Sequence, residues 1–325
     1  MEPMDEPSAV LGESDPHRSS RSRLATALGL AVALLGVVPD AWAQLPPLLE
    51  MSGQYLPASD IGSVPGLRAQ VATYDASVSV PVPVGRSAYL LPGATYHAES
   101  VSYDRMPPGF QQVRALHAAD LSLLYTQAVS ERWWVSLRGS AGLAGDFAAI
   151  DSGHLRVGGF AMATYAFGEH LVLGGGALVT HAFGELHPLP MVYLDWRARP
   201  WLRIEANLPV MAEVRTTLAN RVELGVLADV NGNEYAIRDS AIRSDPQCSS
   251  GGGCMDHISL AVVAAGAVAR VRLFSTLWLS ATAGRTLWRR FEQKDADNRL
   301  LAGGREDLPS EFLFRGGLVW RLPGS

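Results

Sequence analysis

The chain has 325 residues, 48% of them apolar, and 27 basic against 32 acidic side chains give a net charge of −5. That balance excludes a nucleic-acid binder, which would show a basic patch or a high isoelectric point. The two cysteines, Cys248 and Cys254, fit an exported, oxidising compartment.

Residues 1–43 read as a cleaved secretory signal. Arg18, Arg21 and Arg23 precede an apolar run over 24–38, and Ala41-Trp42-Ala43 supplies the small-x-small site before Gln44. The leader is unusually acidic, with Glu2, Asp5, Glu6, Glu13 and Asp15. Its apolar run falls short of the roughly 20 residues that a spanning helix needs. No cysteine follows that run, so a lipoprotein anchor is excluded. Three arginines and six acids leave with the signal, so residues 44–325 carry 24 basic and 26 acidic side chains.

From residue 48 onward the pattern has a period of two. Trp133, Val135, Leu137, Gly139 and Ala141 share one face of a strand, and Trp134, Ser136, Arg138 and Ser140 share the other. The same alternation predicts strands over 48–56, 69–80, 87–97, 115–127, 133–143, 154–167, 170–182, 188–196 and 201–214. It continues over 221–230, 233–240, 257–273, 277–290 and 311–321. Asn231-Gly232 reads as the type I′ turn of a hairpin. A calcium-loop reading of Asp229-x-Asn231-x-Asn233 fails, because Glu234 stands where the loop needs glycine and the twelfth position, Ser240, is not an acid. Pro92 and Pro209 sit inside predicted strands, where each removes a ladder donor.

The longest apolar run of residues 44–325, at 258–269, is too short to span as a helix and contains Ser259. A membrane protein built from this chain is therefore a closed barrel, because only helices and barrels satisfy the backbone in lipid. The fold class expected is all-β, a transmembrane antiparallel up-and-down β-barrel of 14 strands, with 12 as the alternative, over residues 44–325. The even count fits a single-chain bacterial barrel.

Connections alternate in length, as short inner turns and long outer loops do in such barrels. The short ones are 81–86, 128–132, 168–169, 197–200 and 275–276; the long ones are 57–68, 98–114, 144–153, 241–256 and 291–310. Two short connections, 183–187 and 215–220, fall on the outer side as exceptions. Trp133, Trp134, Trp196, Trp201, Trp278 and Trp320, with Tyr125, Phe167 and Phe274, collect at the inner ends. They are read as an interfacial girdle.

Arg315-x-Gly317-Leu318-x-Trp320 resembles the insertion signal of outer-membrane proteins, a polar residue, glycine, hydrophobic and aromatic at fixed spacing on the last strand. That resemblance implies the barrel-assembly machinery as a partner. The layout of "QYLPASD" at 54–60, "LLPGATY" at 90–96 and "VELGVLADVNGNEYAI" at 222–237 resembles an uncharacterised family of bacterial outer-membrane β-barrel proteins. It implies fold and location, and brings no activity.

Charged residues at mid-strand should face the lumen, since Arg on the lipid face at mid-depth costs ~2–4 kcal/mol. The lumen candidates are Asp120, Arg138, Asp195, Arg203, Glu205 and Arg315, with Asp195 and Arg203 opposite one another if their turn has three residues. Cys248 and Cys254 flank Ser-Ser-Gly-Gly-Gly in an outer loop and read as a local disulfide rather than a metal site. His97, His117, His154, His181, His187 and His257 gather at outer strand ends. Without ligand spacing they read as interfacial residues rather than as a metal-binding or pH-sensing ring. Asp151-Ser152-Gly153-His154 has catalytic residue types, but adjacent residues cannot converge on one reacting atom as a triad does. No enzyme motif and no cofactor are expected.

The expected function is that of an integral outer-membrane barrel, a passive channel or a binding and transport barrel for small solutes. The alternatives are a structural or adhesive barrel with a blocked lumen, and an outer-membrane enzyme.

Overall fold

The computed structural model describes residues 46–60, 68–104, 115–219, 221–240 and 254–321. The expected signal over 1–43, much of the outer loops at 57–68, 98–114 and 241–256, and Cys248 lie outside the described residues. The described strands are β1 (Leu49–Asp60), β2 (Arg68–Ser79), β3 (Val82–Pro83), β4 (Ala88–Asp104), β5 (Ala115–Ala128) and β6 (Trp133–Gly145). After a single 3-10 turn at Ser152–His154 come β7 (Leu155–Ala166), β8 (Leu171–Thr180), β9 (His187–Arg199), β10 (Leu202–Leu208) and β11 (Met211–Leu218). The series ends with β12 (Val222–Ala236), β13 (His257–Arg272), β14 (Leu277–Lys294), β15 (Leu300–Leu308) and β16 (Phe312–Trp320).

All but β3 and β15 join a closed antiparallel barrel of 14 strands. The seam closes where β1 pairs with β16, from Leu49↔Trp320 to Tyr55↔Phe314. β3 adds to the inner end of β4, and β15 lies against the outer end of β14.

The period of two becomes two chemically different surfaces. Leu121 is 72% exposed, Val226 62% and Leu137 56%, while their chain neighbours Asp120 and Arg138 line an internal cavity. An apolar exterior around a polar interior suits lipid outside, and closure pairs the backbone groups that lipid cannot hydrate. No described helix is long and apolar enough to cross a membrane. The protein is a transmembrane β-barrel that crosses with strands.

Exposed Trp133, Phe167, Trp196, Trp201, Phe274 and Trp320 ring the inner ends. Within that ring Tyr165 sits edge-on to Trp133 at 5.0 Å and to Phe167 at 4.6 Å. Trp134 and Trp278 depart from the expected girdle, because alternation turns them to the other face. Trp278 is 8% exposed, with the Arg272 and Arg321 guanidiniums 5.6 and 5.3 Å from its ring.

Two strand boundaries differ from expectation, and the differences cancel in the strand count. The predicted strand 201–214 breaks into β10 and β11 at Pro209-Val210, where Val210 N–H donates to the Asn207 carbonyl at 2.8 Å. Pro209 has no N–H to continue the ladder, so the chain turns there. The Asn231-Gly232 turn does not form. Both residues lie inside β12, paired with Val262 and Ala261 of β13. Gly232 is needed for close approach instead: a Cβ there would lie 2.4 Å from the Leu260 carbonyl oxygen and 2.5 Å from that of Ala182. The β11 and β12 ends at Leu218 and Val222 consequently lie on the inner side, and the short outer exceptions are 181–186 and 209–210. Pro92 stays within β4 because its carbonyl side, which accepts from Val80 N–H at 3.0 Å, faces the end of β2.

The β10–β11 turn is low, so β12 outruns its partner. Pairing with β11 stops at Met211↔Asp229, yet β12 continues to Ala236, which pairs in parallel with Gly145 of β6. This contact draws the outer mouth together. Beneath it Leu116, Ala118, Ala144, Tyr235, Ile237 and Ile258 form a buried apolar cluster.

Candidate functional site in the lumen

Toward the inner end, the inward positions of β9 to β13 carry an alternating ladder of charge. The register aligns Asp195 with Glu205 and Glu205 with Glu213, one row from Arg203 aligned with Arg215. Like charges therefore lie side by side, and each row neutralises the next. Arg203 donates to both Asp195 oxygens at 2.7 and 2.9 Å, and Arg215 lies 3.1 Å from Glu205. Arg270 grips Glu213 through two hydrogen bonds and reaches Glu223 at 3.6 Å, and Arg321 also lies 3.6 Å from Glu223. The hairpin turns through Pro200-Trp201, and its register sets Glu205 rather than Arg203 opposite Asp195, so Asp195 and Arg203 are diagonal rather than directly opposite.

Farther out, single contacts cross the barrel. Arg315 donates to Asp229 at 2.7 Å and to Gln54 at 2.8 Å, linking β16 to β12 over two intervening strands. Arg156 of β7 is hydrogen-bonded to Asp120 of β5 and to Asn233 of β12. Asp120 and Arg156 flank Gly142 of β6 in register, and the Asp120 carboxylate passes over it. A Cβ on Gly142 would fall 2.3 Å from Asp120 Oδ1, so glycine makes that bridge possible. Asn233 in turn donates to the Tyr235 hydroxyl at 3.2 Å, and the Thr95 hydroxyl donates to Asp120 at 3.3 Å. His97 lies between Asp75 at 2.6 Å and Glu99 at 3.0 Å.

These groups border a cavity of about 530 Å³ lined by Asp75, His97, Asp120, Arg138, Arg156 and Arg315, among others. Arg138 is the least engaged of them: its guanidinium donates to the Ser122 hydroxyl at 3.3 Å, and no described carboxylate pairs with it. Three of the six lumen candidates, Asp120, Arg138 and Arg315, thus line one cavity, and Asp195, Arg203 and Glu205 join the ladder. Arg156, Asp229, Arg215, Glu213, Glu223 and Arg270 are not among the lumen candidates read from the sequence. Strand parity is enough to find Arg156, whereas Arg215 falls in the expected connection 215–220 and lies instead within β11.

In the Arg315–Trp320 motif, Arg315 and Gly317 take the lumen face, and Leu318 and Trp320 are each 39% exposed on the other. Cys254 is not a free thiol, and its expected partner Cys248 lies outside the described residues. His154 is fixed by Asp151, 3.1 Å away, in a capping box. The His154 ring packs near Phe147, and its buried Nε2 has no partner among the described residues. Asp151 also accepts from Arg238 at 2.6 Å, and that guanidinium holds its carboxyl well below the usual range. The group reads as loop structure. Of the other outer histidines, His117 also stacks with Phe147, at 5.8 Å between ring centroids, and meets Tyr96 at 2.8 Å, and His187 lies 3.9 Å from Glu185.

A family model described as a domain of unknown function, DUF6268, matches residues 40–302. A search of curated proteins finds no match. Among solved structures, the chain is similar to the NanC porin at 10% identity and a TM-score of 0.37, covering 84% of this chain and 100% of that one. It is similar to LpxR from Salmonella typhimurium at 10% identity and 0.35, again covering 84% and 100%. A third similarity is to the translocator domain of the autotransporter NalP from Neisseria meningitidis, at 10% identity and 0.30, covering 94% and 98%. The barrel assignment rests on strand pairing and surface chemistry rather than on these likenesses. The family match spans most of the chain, and this protein belongs to the DUF6268 family, a domain of unknown function.

Proposed function

We propose that this barrel binds small polar solutes in its lumen and passes them across the outer membrane, and that the lumen is closed at rest. The observation that carries the reading is the Asp120–Arg156–Asn233 bridge, which joins β5 and β7 to β12 beside a 530 Å³ cavity lined by both charge signs. A wide passive pore needs no such crossing. A transporter can use one, because a few hydrogen bonds hold the path shut and can be exchanged for bonds to a solute. The apolar cluster under the β6–β12 contact favours a second reading, a structural barrel whose outer mouth is sealed.

Planar-bilayer recording separates the two. The wild-type barrel should show small, infrequent steps. Asn233→Ala removes the far end of the bridge and leaves the Asp120–Arg156 pair intact, so openings should become larger or more frequent. A folded Asn233→Ala barrel as silent as wild type would favour the structural reading.

A further inference from the structure

The outer half of the lumen holds a second cavity of about 260 Å³, which adjoins the first at His97, Asn231 and Arg315. Its wall is largely apolar, with Leu56, Val71, Leu116, Val262 and Phe291 among the lining residues. One charged side chain enters through that wall without a partner. Arg289 is 7% exposed, and its buried Nε and Nη1 have no hydrogen-bond partner among the described residues. Most charges around it are engaged elsewhere: Asp229 with Arg315 at 2.7 Å, Glu99 with His97 at 3.0 Å, and Arg290 with Asp307 at 3.2 Å. The Glu311 carboxylate also acts on Arg289, but at longer range and without a hydrogen bond to its Nε or Nη1. Glu306, which also lines the cavity, has its own interaction.

Arg289 points inward because of a local irregularity. The β13–β14 register steps from Ala264↔Thr286 to Val263↔Trp288, which leaves Leu287 out of the pairing and exposed on the exterior. Without that bulge Arg289 would share the outward face with Leu287. With it, Arg289 stands opposite Val262 on the inward face. Bulges re-aim side chains in this way, commonly beside functional sites. A buried guanidinium is unfavourable until an acceptor completes its hydrogen bonds.

We infer that this cavity is a binding site for a small amphipathic anion. A carboxylate or sulfonate takes the fork of Arg289, and a short apolar chain or ring lies along Leu56, Val71 and Val262. A guanidinium matches such a headgroup with two parallel hydrogen bonds. The volume equals about nine waters of liquid, which admits a chain of roughly eight carbons and excludes a lipid with several long acyl chains. The site stands apart from the transport proposal, because binding here requires no conduction.

The test is calorimetric titration of sodium octanoate into the barrel in lipid nanodiscs, with empty nanodiscs as the blank. Octanoate should saturate one site per barrel, while 1-octanol and sodium sulfate, which lack the charge and the chain respectively, should not. Arg289→Met should weaken octanoate at least about tenfold, as loss of a charge-assisted contact does. Equal octanoate binding in a folded Arg289→Met barrel, saturation by octanol, or no saturation by octanoate would each overturn the inference. If Arg289→Met does not fold, Val262→Phe supplies the test by filling the cavity: loss of octanoate binding supports the site, and unchanged binding overturns it.

Discussion

Arg203 and Arg138 share one lumen and are held in opposite ways. Arg203 is locked to both Asp195 oxygens, so removing either partner strands a buried charge at a cost of about 3–5 kcal/mol. Arg138 has a single hydroxyl contact and borders open space. Reversing it should leave assembly intact, because lumen substitutions tune selectivity more than stability. In the Asn233→Ala background, Arg138→Glu is expected to shift selectivity toward cations, since a charge beside a low-dielectric wall is weakly screened. Reversal potentials in a salt gradient, with heat-modifiability on a gel as the folding check, read the effect. A folded, conducting variant with unchanged selectivity would remove Arg138 from the solute path. Parity alone was enough to propose a lumen role for Arg138. It fails for Arg289, because one bulge inverts the faces above residue 287.

At the scale of elements, the low β10–β11 turn has the widest consequences. β9 loses its β10 partner beyond Leu208↔Val192, and the stretch left open contains Pro188 and Pro190, residues that cannot donate to a new neighbour. On the far side of the gap the 181–186 connection reaches β12 and β13, with Ala182 close to Gly232 and Gly184 close to Ser259. It is clasped by a Lys294–Glu185 hydrogen bond, and Lys294 also lies near Glu234 and Glu292. Lys294 holds the Glu185 carboxyl below its ordinary value of 4.5. A carboxylate depressed in the folded state adds stability above its unfolded value, and loses it as pH falls through the folded one. Hydrogen exchange in 181–186, corrected for intrinsic rates, should therefore accelerate in acid below the ordinary carboxylate range. Lys294→Met should show that faster exchange already at neutral pH. Identical exchange in both proteins at both pH values would refute the clasp.

For the whole molecule, closure depends on the β1–β16 seam. Arg315 and Gly317 have lumen roles of their own: Arg315 reaches Asp229, and a Cβ at Gly317 would lie 2.6 Å from the Met51 carbonyl oxygen. Trp320 is the cleaner probe of an insertion signal, because its ring lies on the exposed face at the inner rim. Trp320→Ala is expected to lower outer-membrane levels and leave protease-sensitive chain in the periplasm, by fractionation and blotting. Normal levels would mean that the Arg315–Trp320 match to the insertion signal is accidental.

By itself the sequence determined the strand period, the barrel class, the inner aromatic rim and the parity that separates lumen from lipid. Each is a local pattern, written within one strand or at its end. Tertiary structure decided where β10 gives way to β11, why Asn231-Gly232 stays extended, how β12 reaches β6 and which charges meet. Those outcomes depend on neighbours distant in sequence: the turn height of another hairpin, the backbone approaching a glycine, and a one-residue bulge that inverts a face. The 14 strands survived two misplaced boundaries because one predicted strand split while two predicted strands merged. The Asp195–Arg203 pair forms although the hairpin sets Glu205 opposite Asp195, because a guanidinium is long enough to bond diagonally.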